Sequence, residues 1–429
     1  MPKLRRALAG LVCIPAAIGL AATHAAHADV TPPPEREVET GATFNNPGGT
    51  QIVDEIESLI RGTPSGADIE IAQYRLWDDS TMDTLEEAVD RGVHVRVLVD
   101  KGNLVSGSGT SNERFKKFHD ALNAHADSDT WVDYCGTDEG PIGTYPGCNG
   151  TNAMHNKFFL FSQTHGHKFV VSTGSANLSN DSIGGTGGWN TLYTDVGDAH
   201  EDGRQADVLY LRFHKYFEDM AEVAAGTEMP DPDYYSHNRP IARGDTDPYF
   251  FPSQGRDTTV SSLDAVDCSN QPSTKIRVGM WSITRKAVAE ALSDKRRCGQ
   301  VEIVVNRMST QACKILTSTP KPHNITIRTF PRDEEGTDNP HGIHDKNVMI
   351  GGNYRGINGN RVVFTGSANL NGLCLRENDE SVLRILNNKT IYDQFIRHFD
   401  DELVPAASVI IDRSDADSND DNCDEVTTD

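Results

Sequence analysis

Apolar and polar positions fall into a pattern that occurs twice along the chain. ADIEIAQYRLWDDSTMDTLEEAVDRGVHVRVLVDKG, from Ala67, opens with apolar residues in alternation. It continues with apolar residues every three to four positions and closes on a Val-rich run. TKIRVGMWSITRKAVAEALSDKRRCGQVEIVVNRMS, from Thr274, does the same. Alternation predicts a strand, a three-to-four spacing a helix, and a short Val/Ile run a second strand. Each stretch therefore reads as strand, helix, strand, with a tryptophan (Trp77, Trp281) near the end of its first strand.

The repetition continues downstream. NAMHNKFFLFS is followed by HKFVVSTGSANLS, and HGIHDKNVMIGG by NRVVFTGSANLNG. His155 and His344 are 189 positions apart, and Ser175 and Ser367 are 192 apart. Each half gains a loop and two more strands, which predicts an α/β layered fold with a mixed sheet in each half. The period is too long for a solenoid, so this is a duplication. Residues 29–227 form the expected N-terminal half and 263–412 the C-terminal half. The Pro/Asp/Gly-rich stretch 228–262 reads as a linker.

The two ends differ from this body. Lys3, Arg5 and Arg6 precede an apolar run from about Leu8 to Ala22, and Ala26-His27-Ala28 is a small-x-small cleavage signal. Residues 1–28 are thus expected to be a secretory signal peptide cleaved after Ala28, the run being short for a membrane span. Residues 413–429 carry seven acidic side chains and hardly any apolar ones, the composition of a disordered, solubilising tail.

The whole chain of 429 residues holds 40 Lys+Arg against 63 Asp+Glu, a formal net charge of −23. A protein that wraps duplex nucleic acid neutralises phosphates with Lys and Arg, so this acidity disfavours one. Hydrophobic content of 37% and a mean hydropathy of −0.50 exclude a disordered chain and a polytopic membrane protein. Cys13 leaves with the signal, and seven cysteines stay. Cys135 and Cys148 flank a Gly/Pro-rich loop and are the expected local disulfide. The odd thiol is expected at Cys423. No CxxC is present, which favours structural disulfides in an exported protein over a zinc site.

The repeated motifs carry the chemistry. Alternate residues of a strand share a face, so HNKFFLF groups His155, Lys157, Phe159 and Phe161, and HDKNVMI groups His344, Lys346, Val348 and Ile350. The following strand ends in Gly-Ser-Ala-Asn, placing Ser175 and Asn177, or Ser367 and Asn369, where a hydroxyl and an amide can donate. Two ammoniums and two amides suit a tetrahedral phosphate. Two imidazoles on opposite sides supply an attacking nitrogen and a proton donor for the leaving group. A single His-x-Lys would most often be incidental, but two copies at matched spacing in duplicated halves are specific.

These pairs with their GSAN segments resemble the HKD motifs of the phospholipase D superfamily, over roughly Phe44 to Phe399. The resemblance implies two αβα-layered halves sharing one central active site, with no metal or other cofactor. It implies a phosphohistidine intermediate, with His155 as nucleophile and His344 as general acid. Phosphate binding falls to Lys157, Lys346, Asn177 and Asn369, with Ser175 and Ser367 beside them. A carboxylate is expected to orient each imidazole: Glu380 in the second half and, in the first, Asp195, with Asn190 a weaker candidate. The motif's Asp, five residues after each Lys, is replaced by Ser162 and Gly351.

The implied function is a secreted phosphodiesterase acting on phosphatidylcholine-like lipid at a membrane or micelle surface, as a monomer. It would release phosphatidic acid and a head-group alcohol, or transfer the phosphatidyl group to another alcohol. Two alternatives stand: a nuclease using a local basic channel such as Arg114, Lys116 and Lys117, and a silent lipid- or phosphate-binding protein. His165 and His167 fit a solvated hairpin turn better than a metal site. Trp189 and Trp281 read as packing residues or as the rim of a lipid entrance. His341 with His344, and Asp333-Glu334-Glu335, are weak metal candidates.

Overall fold

The computed structural model describes residues 38–105, 111–125, 129–136, 145–179, 187–197, 206–240, 245–269, 271–318, 324–331, 342–412, 415 and 423. The expected signal peptide, Asp333–Glu335, His341 and most of the acidic tail lie outside them.

The first half runs β1 (Gly41–Asn45), α1 (Gln51–Arg61), β2 (Asp68–Gln73), α2 (Asp79–Asp90) and β3 (His94–Asp100). It continues through α3 (Glu113–Asn123), β4 (Trp131–Cys135), β5 (Lys157–Thr164), β6 (His167–Gly174), β7 (Asn190–Val196) and α4 (Ala206–Ala224). After the short α5 (Tyr234–His237), the second half repeats the scheme: β8 (Thr246–Phe251), α6 (Thr258–Asp264), β9 (Lys275–Ile283), α7 (Lys286–Ser293), β10 (Gln300–Met308), α8 (Thr310–Thr317) and β11 (Ile325–Thr329). Then come β12 (Lys346–Tyr354), β13 (Ile357–Gly366), α9 (Gly372–Arg376), β14 (Glu380–Leu386), α10 (Lys389–Arg397), α11 (Val404–Ala406) and β15 (Val409–Ile410).

The sheets show the duplication directly. The first has the order β1-β7-β6-β5-β2-β3-β4, and the second β8-β14-β13-β12-β9-β10-β11 with β15 added at the far edge. Both are mixed: β2, β3 and β4 run parallel, as do β9, β10 and β11, while the remaining pairings are antiparallel. The fold class is α/β with two related halves.

Local chemistry sets the elements. In α2, Met82, Leu85, Ala88 and Val89 form one buried stripe, and the Asp78 carboxylate caps the first turn by accepting from Thr81 N–H at 2.8 Å. Helices α1 to α3 cover the outer face of the first sheet and α6 to α8 that of the second. A third core lies between the sheets, where α4 and α10 pack with Phe158, Leu160, Met349 and Leu383.

Two expectations are corrected. The stretch read as a linker contains β8, which pairs with β14 as β1 pairs with β7. Its Pro/Asp/Gly-rich flanks hide TDPYFF, whose Tyr249, Phe250 and Phe251 are all buried; Pro248 is tolerated because the strand is an edge. Cys423 is not the odd thiol. It bonds Cys313 of α8, alongside Cys135–Cys148 and Cys268–Cys298, and among the described residues the free cysteine is the buried Cys374.

Candidate active site

The two His-x-Lys segments enter their strands through hydrogen bonds made across the halves. His155 N–H donates to Asp379 C=O at 2.9 Å, and Asp379 N–H to Ala153 C=O at 2.8 Å. The same ladder recurs with roles exchanged: His344 N–H donates to Trp189 C=O at 2.8 Å and Trp189 N–H to Gly342 C=O at 3.3 Å. Each histidine is thus placed by the segment that follows GSAN in the other half.

The side chains cross in the same way. His155 Nδ1 lies 2.9 and 3.0 Å from the carboxylate oxygens of Glu380. That carboxylate also accepts from Ser367 Oγ at 2.5 Å and Asn378 Nδ2 at 3.0 Å. On the other side His344 Nδ1 lies 3.0 Å from Asn190 Oδ1, which accepts from Ser175 Oγ at 3.0 Å. In both, Nδ1 is held and Nε2 is left for chemistry.

Three sequence expectations change here. Asp195 does not orient His344. It lies five positions from Asn190 along β7, an odd offset, so it faces the other way, and Tyr193 Oη donates to it at 3.0 Å. Asn190, the weaker candidate, occupies the place that Glu380 holds in the other half. Ser175 and Ser367 are spent on Asn190 and Glu380 rather than aimed at a phosphate. They position the residues that position the imidazoles.

Lys157 and Lys346 are almost wholly buried, and each ammonium donates to the carbonyl of its own histidine, at 2.7 and 2.5 Å. Asn177 and Asn369 keep buried amide oxygens that accept nothing. An aromatic ring flanks each imidazole: Tyr74 at 4.7 Å from His155, and Trp281 edge-on at 5.6 Å from His344. Tyr74 N–H donates to Asn156 C=O and Trp281 N–H to Asp345 C=O. Tyr74, not Trp77, is therefore the counterpart of Trp281; the register against the neighbouring strand identifies it, and similarity of residue type does not.

The site's charges explain what it is built to hold. Burial lowers His155 to about 4, opposed by Glu380 and aided by Lys157. Burial also lowers Lys157 to about 7, although Glu380 pulls the other way. His344 and Lys346 are driven well below their ordinary values by burial, with Lys346 and Lys157 acting on the first and Lys157 on the second. Burial would raise Glu380, but His155 and Lys157 overcome it and hold it at about 2. Four basic groups crowd a dry space with one carboxylate, an arrangement that an entering phosphodiester anion relieves.

Sequence comparison supplies the family. The model described as "Cardiolipin synthase, PLD-like domain" matches residues 63–195 and 266–403, one stretch in each half. The chain belongs to the phospholipase D superfamily. No curated protein sequence matches it. Among solved structures, phosphatidylserine synthase of Haemophilus influenzae Rd KW20 is similar in fold, with TM-score 0.57 and 13% identity, over 86% of this chain and 87% of that one. Polyphosphate kinase of Porphyromonas gingivalis aligns with TM-score 0.51 and 12% identity over 83% of this chain. The chain spans about half of the kinase, 49% of its length.

The superfamily's motif Asp is replaced differently in the two halves. Ser162 Oγ accepts from Asp68 N–H at 2.8 Å, bridging β5 to the start of β2. At Gly351 a Cβ would lie 2.4 Å from Tyr392 Oη, so the α10 tyrosine occupies that space. Neither position is in the site.

Sequence reasoning also missed the supports behind the motifs. The buried Asp379 carboxylate accepts from Cys148, Asn149 and Gly150 N–H at 2.6, 3.1 and 2.9 Å, so the turn that starts at the disulfide-bonded Cys148 clasps the residue next to Glu380. Asp345, between His344 and Lys346, accepts from Thr191 Oγ1 at 2.6 Å and lies 2.8 Å from His398 Nε2. Trp189 packs on Phe330 and His398.

Cation-binding alternatives are already filled by protein groups. His155, Cys374 and Glu380 bring donor atoms within 4.8 Å of one another, but the carboxylate is engaged by His155, Ser367 and Asn378. Glu70, His214 and Glu218 form a second trio, and Arg96 sits between its two carboxylates.

Proposed function

We propose that the protein is an exported phospholipase D-type phosphodiesterase that hydrolyses phosphatidylcholine-like lipids to phosphatidic acid and a head-group alcohol. The observation that carries this reading is the crossed pair of oriented imidazoles, each beside a buried lysine. His155 Nε2 attacks phosphorus, and the bond from phosphorus to the head-group oxygen breaks. His344, neutral in the free site but favoured in its protonated form by the negative charge of the bound phosphodiester, gives its Nε2 proton to that oxygen, and a phosphatidyl group stays on His155. The phosphorylated imidazole is cationic, and Glu380 lies against it. Water then loses a proton to His344 and attacks phosphorus, the P–N bond breaks, and phosphatidic acid leaves. An added alcohol in place of water gives transfer.

The asymmetry of the partners supports these roles. A carboxylate at His155 stabilises positive charge on the ring, whereas the Asn190 amide at His344 fixes orientation without holding the proton there. Lipid is favoured over nucleic acid by the net charge of −23 and by the fate of the candidate basic channel. Arg114 is paired with Asp83 and Glu86, and Lys116 with Glu113. One chain carries both histidines, which supports action as a monomer. Residues 1–28 and the three disulfides support export.

The test offers phosphatidylcholine vesicles and single-stranded DNA to the purified protein in EDTA, with His155→Ala and His344→Ala alongside. Choline release lost in both variants supports the reading. DNA cleavage without choline release, or no turnover of either, refutes it.

A further inference from the structure

The outer face of the second sheet holds an apolar pocket that begins at the phosphate site. Alternation along β12 puts Lys346, Val348 and Ile350 on one face, and all three line the pocket. Asn369 lines it too, so a lysine and an asparagine of the site belong to its wall. From Lys346 to Ile350 the strand advances about 13 Å. Met280 and Phe364, from the strands on either side of β12, complete the floor.

The duplication explains the space. The positions in the first half that match Val348 and Ile350 carry Phe159 and Phe161, both buried. Helix α1 lies over that sheet with Ile52, Ile56, Leu59 and Ile60 buried beneath it. Its counterpart before β9 is the seven-residue α6, which brings Thr258, Thr259, Ser262 and Leu263 to the pocket. Large side chains fill one half, and small ones leave room in the other. Arg285, a charged group in the lining, is ion-paired with Asp257.

We propose that this pocket receives an acyl chain of the phospholipid substrate, running from the phosphate at Lys346 along β12 toward Ile350. The inference rests on the phospholipid reading and adds to it where a chain lies. An acyl chain asks only for apolar surface, which these walls offer, whereas a nucleobase would need polar partners.

Calorimetric titration with n-alkylphosphonates from butyl to decyl tests it, since these anions are not hydrolysed. In the native protein, affinity should rise about threefold to fourfold per added methylene and level off once the chain reaches Ile350. Val348→Phe should end the rise at shorter chains than Ile350→Phe does, with folding checked by circular dichroism and melting. If Val348→Phe does not fold, Ser262→Leu, which enters the pocket from α6, carries the same expectation. Affinity independent of chain length in the native protein, or folded variants that follow its chain-length series, would overturn the pocket. Turnover of dioctanoylphosphatidylcholine is measured in parallel. Chain-dependent phosphonate binding without lipid turnover refutes the phospholipid reading and leaves an alkyl-binding pocket. Lipid turnover with chain-independent phosphonate binding refutes the pocket alone.

Discussion

Glu380, in the second half, holds the imidazole of His155, in the first, with its carboxylate oxygens 2.9 and 3.0 Å from Nδ1. Asn190 returns the relation by holding His344 at 3.0 Å. Neither histidine is oriented by its own half, so the site exists only where the two sheets meet.

The two orienting residues should not be equivalent. Glu380→Gln keeps a hydrogen-bond partner but removes the charge that stabilises the phosphoimidazolium. It should lower kcat about 100-fold to 10,000-fold, with KM little changed. Asn190→Ala should cost less, about tenfold to 100-fold. Steady-state kinetics on a short-chain phosphatidylcholine ranks them, and a larger loss in Asn190→Ala would reverse the assignment of nucleophile and acid.

Ser367→Ala and Ser175→Ala separate positioning from phosphate binding. Each hydroxyl donates to a residue that holds a histidine, so its loss should reduce kcat and leave KM near the native value. A rise in KM with kcat preserved would return both serines to the phosphate.

Activity should be confined on both sides in pH. Below about 4, His155 is protonated and has no lone pair at Nε2. Above about 7, Lys157 loses the charge that attracts phosphate. The profile of kcat/KM, which reports the free enzyme, should rise as His155 loses its proton and fall first as His344, held well below its ordinary value by burial, loses the proton it must donate, and then as Lys157 loses its charge. In Lys157→Arg, whose guanidinium keeps its charge, the later part of the alkaline fall should move to higher pH while the earlier part, set by His344, remains.

Stability has its own pH dependence through Asp345 and His398. Burial lowers the His398 value, but Asp345 and then Glu402 overcome it and hold it at about 9. The ordinary value is about 6.5, so the protonated ring stabilises the fold fully below about pH 6.5, and this contribution is lost as pH rises through about 9. Urea midpoints measured from pH 6 to 10 should fall in that window for the native chain and change less for His398→Gln. Parallel curves would contradict it.

Much of this was legible in the sequence because duplication repeats its signals. The strand–helix–strand pattern, the His-x-Lys pairs and the Cys135–Cys148 loop follow from residue type and spacing. What was not legible depends on partners distant in the chain. Asn190 and Asp195 are both polar residues of one strand, and only the pleat, with its contact to His344, separates them. Ser367 looks like a phosphate ligand until Glu380 is seen 2.5 Å away. Strand β8 was hidden because an edge strand tolerates proline and its flanks read as loop. Cys423 sits in an acidic tail whose composition says nothing of Cys313.

The central claim, a phosphatidyl group carried on His155 and released with the help of His344, is tested most directly by trapping the intermediate. The native protein and His344→Ala are mixed with short-chain phosphatidylcholine, quenched within milliseconds to seconds, and their peptides weighed by mass spectrometry. The account predicts a phosphatidyl adduct on the peptide carrying His155, longer-lived in His344→Ala, and none in His155→Ala. An adduct on His344, or full turnover in His155→Ala, would contradict it.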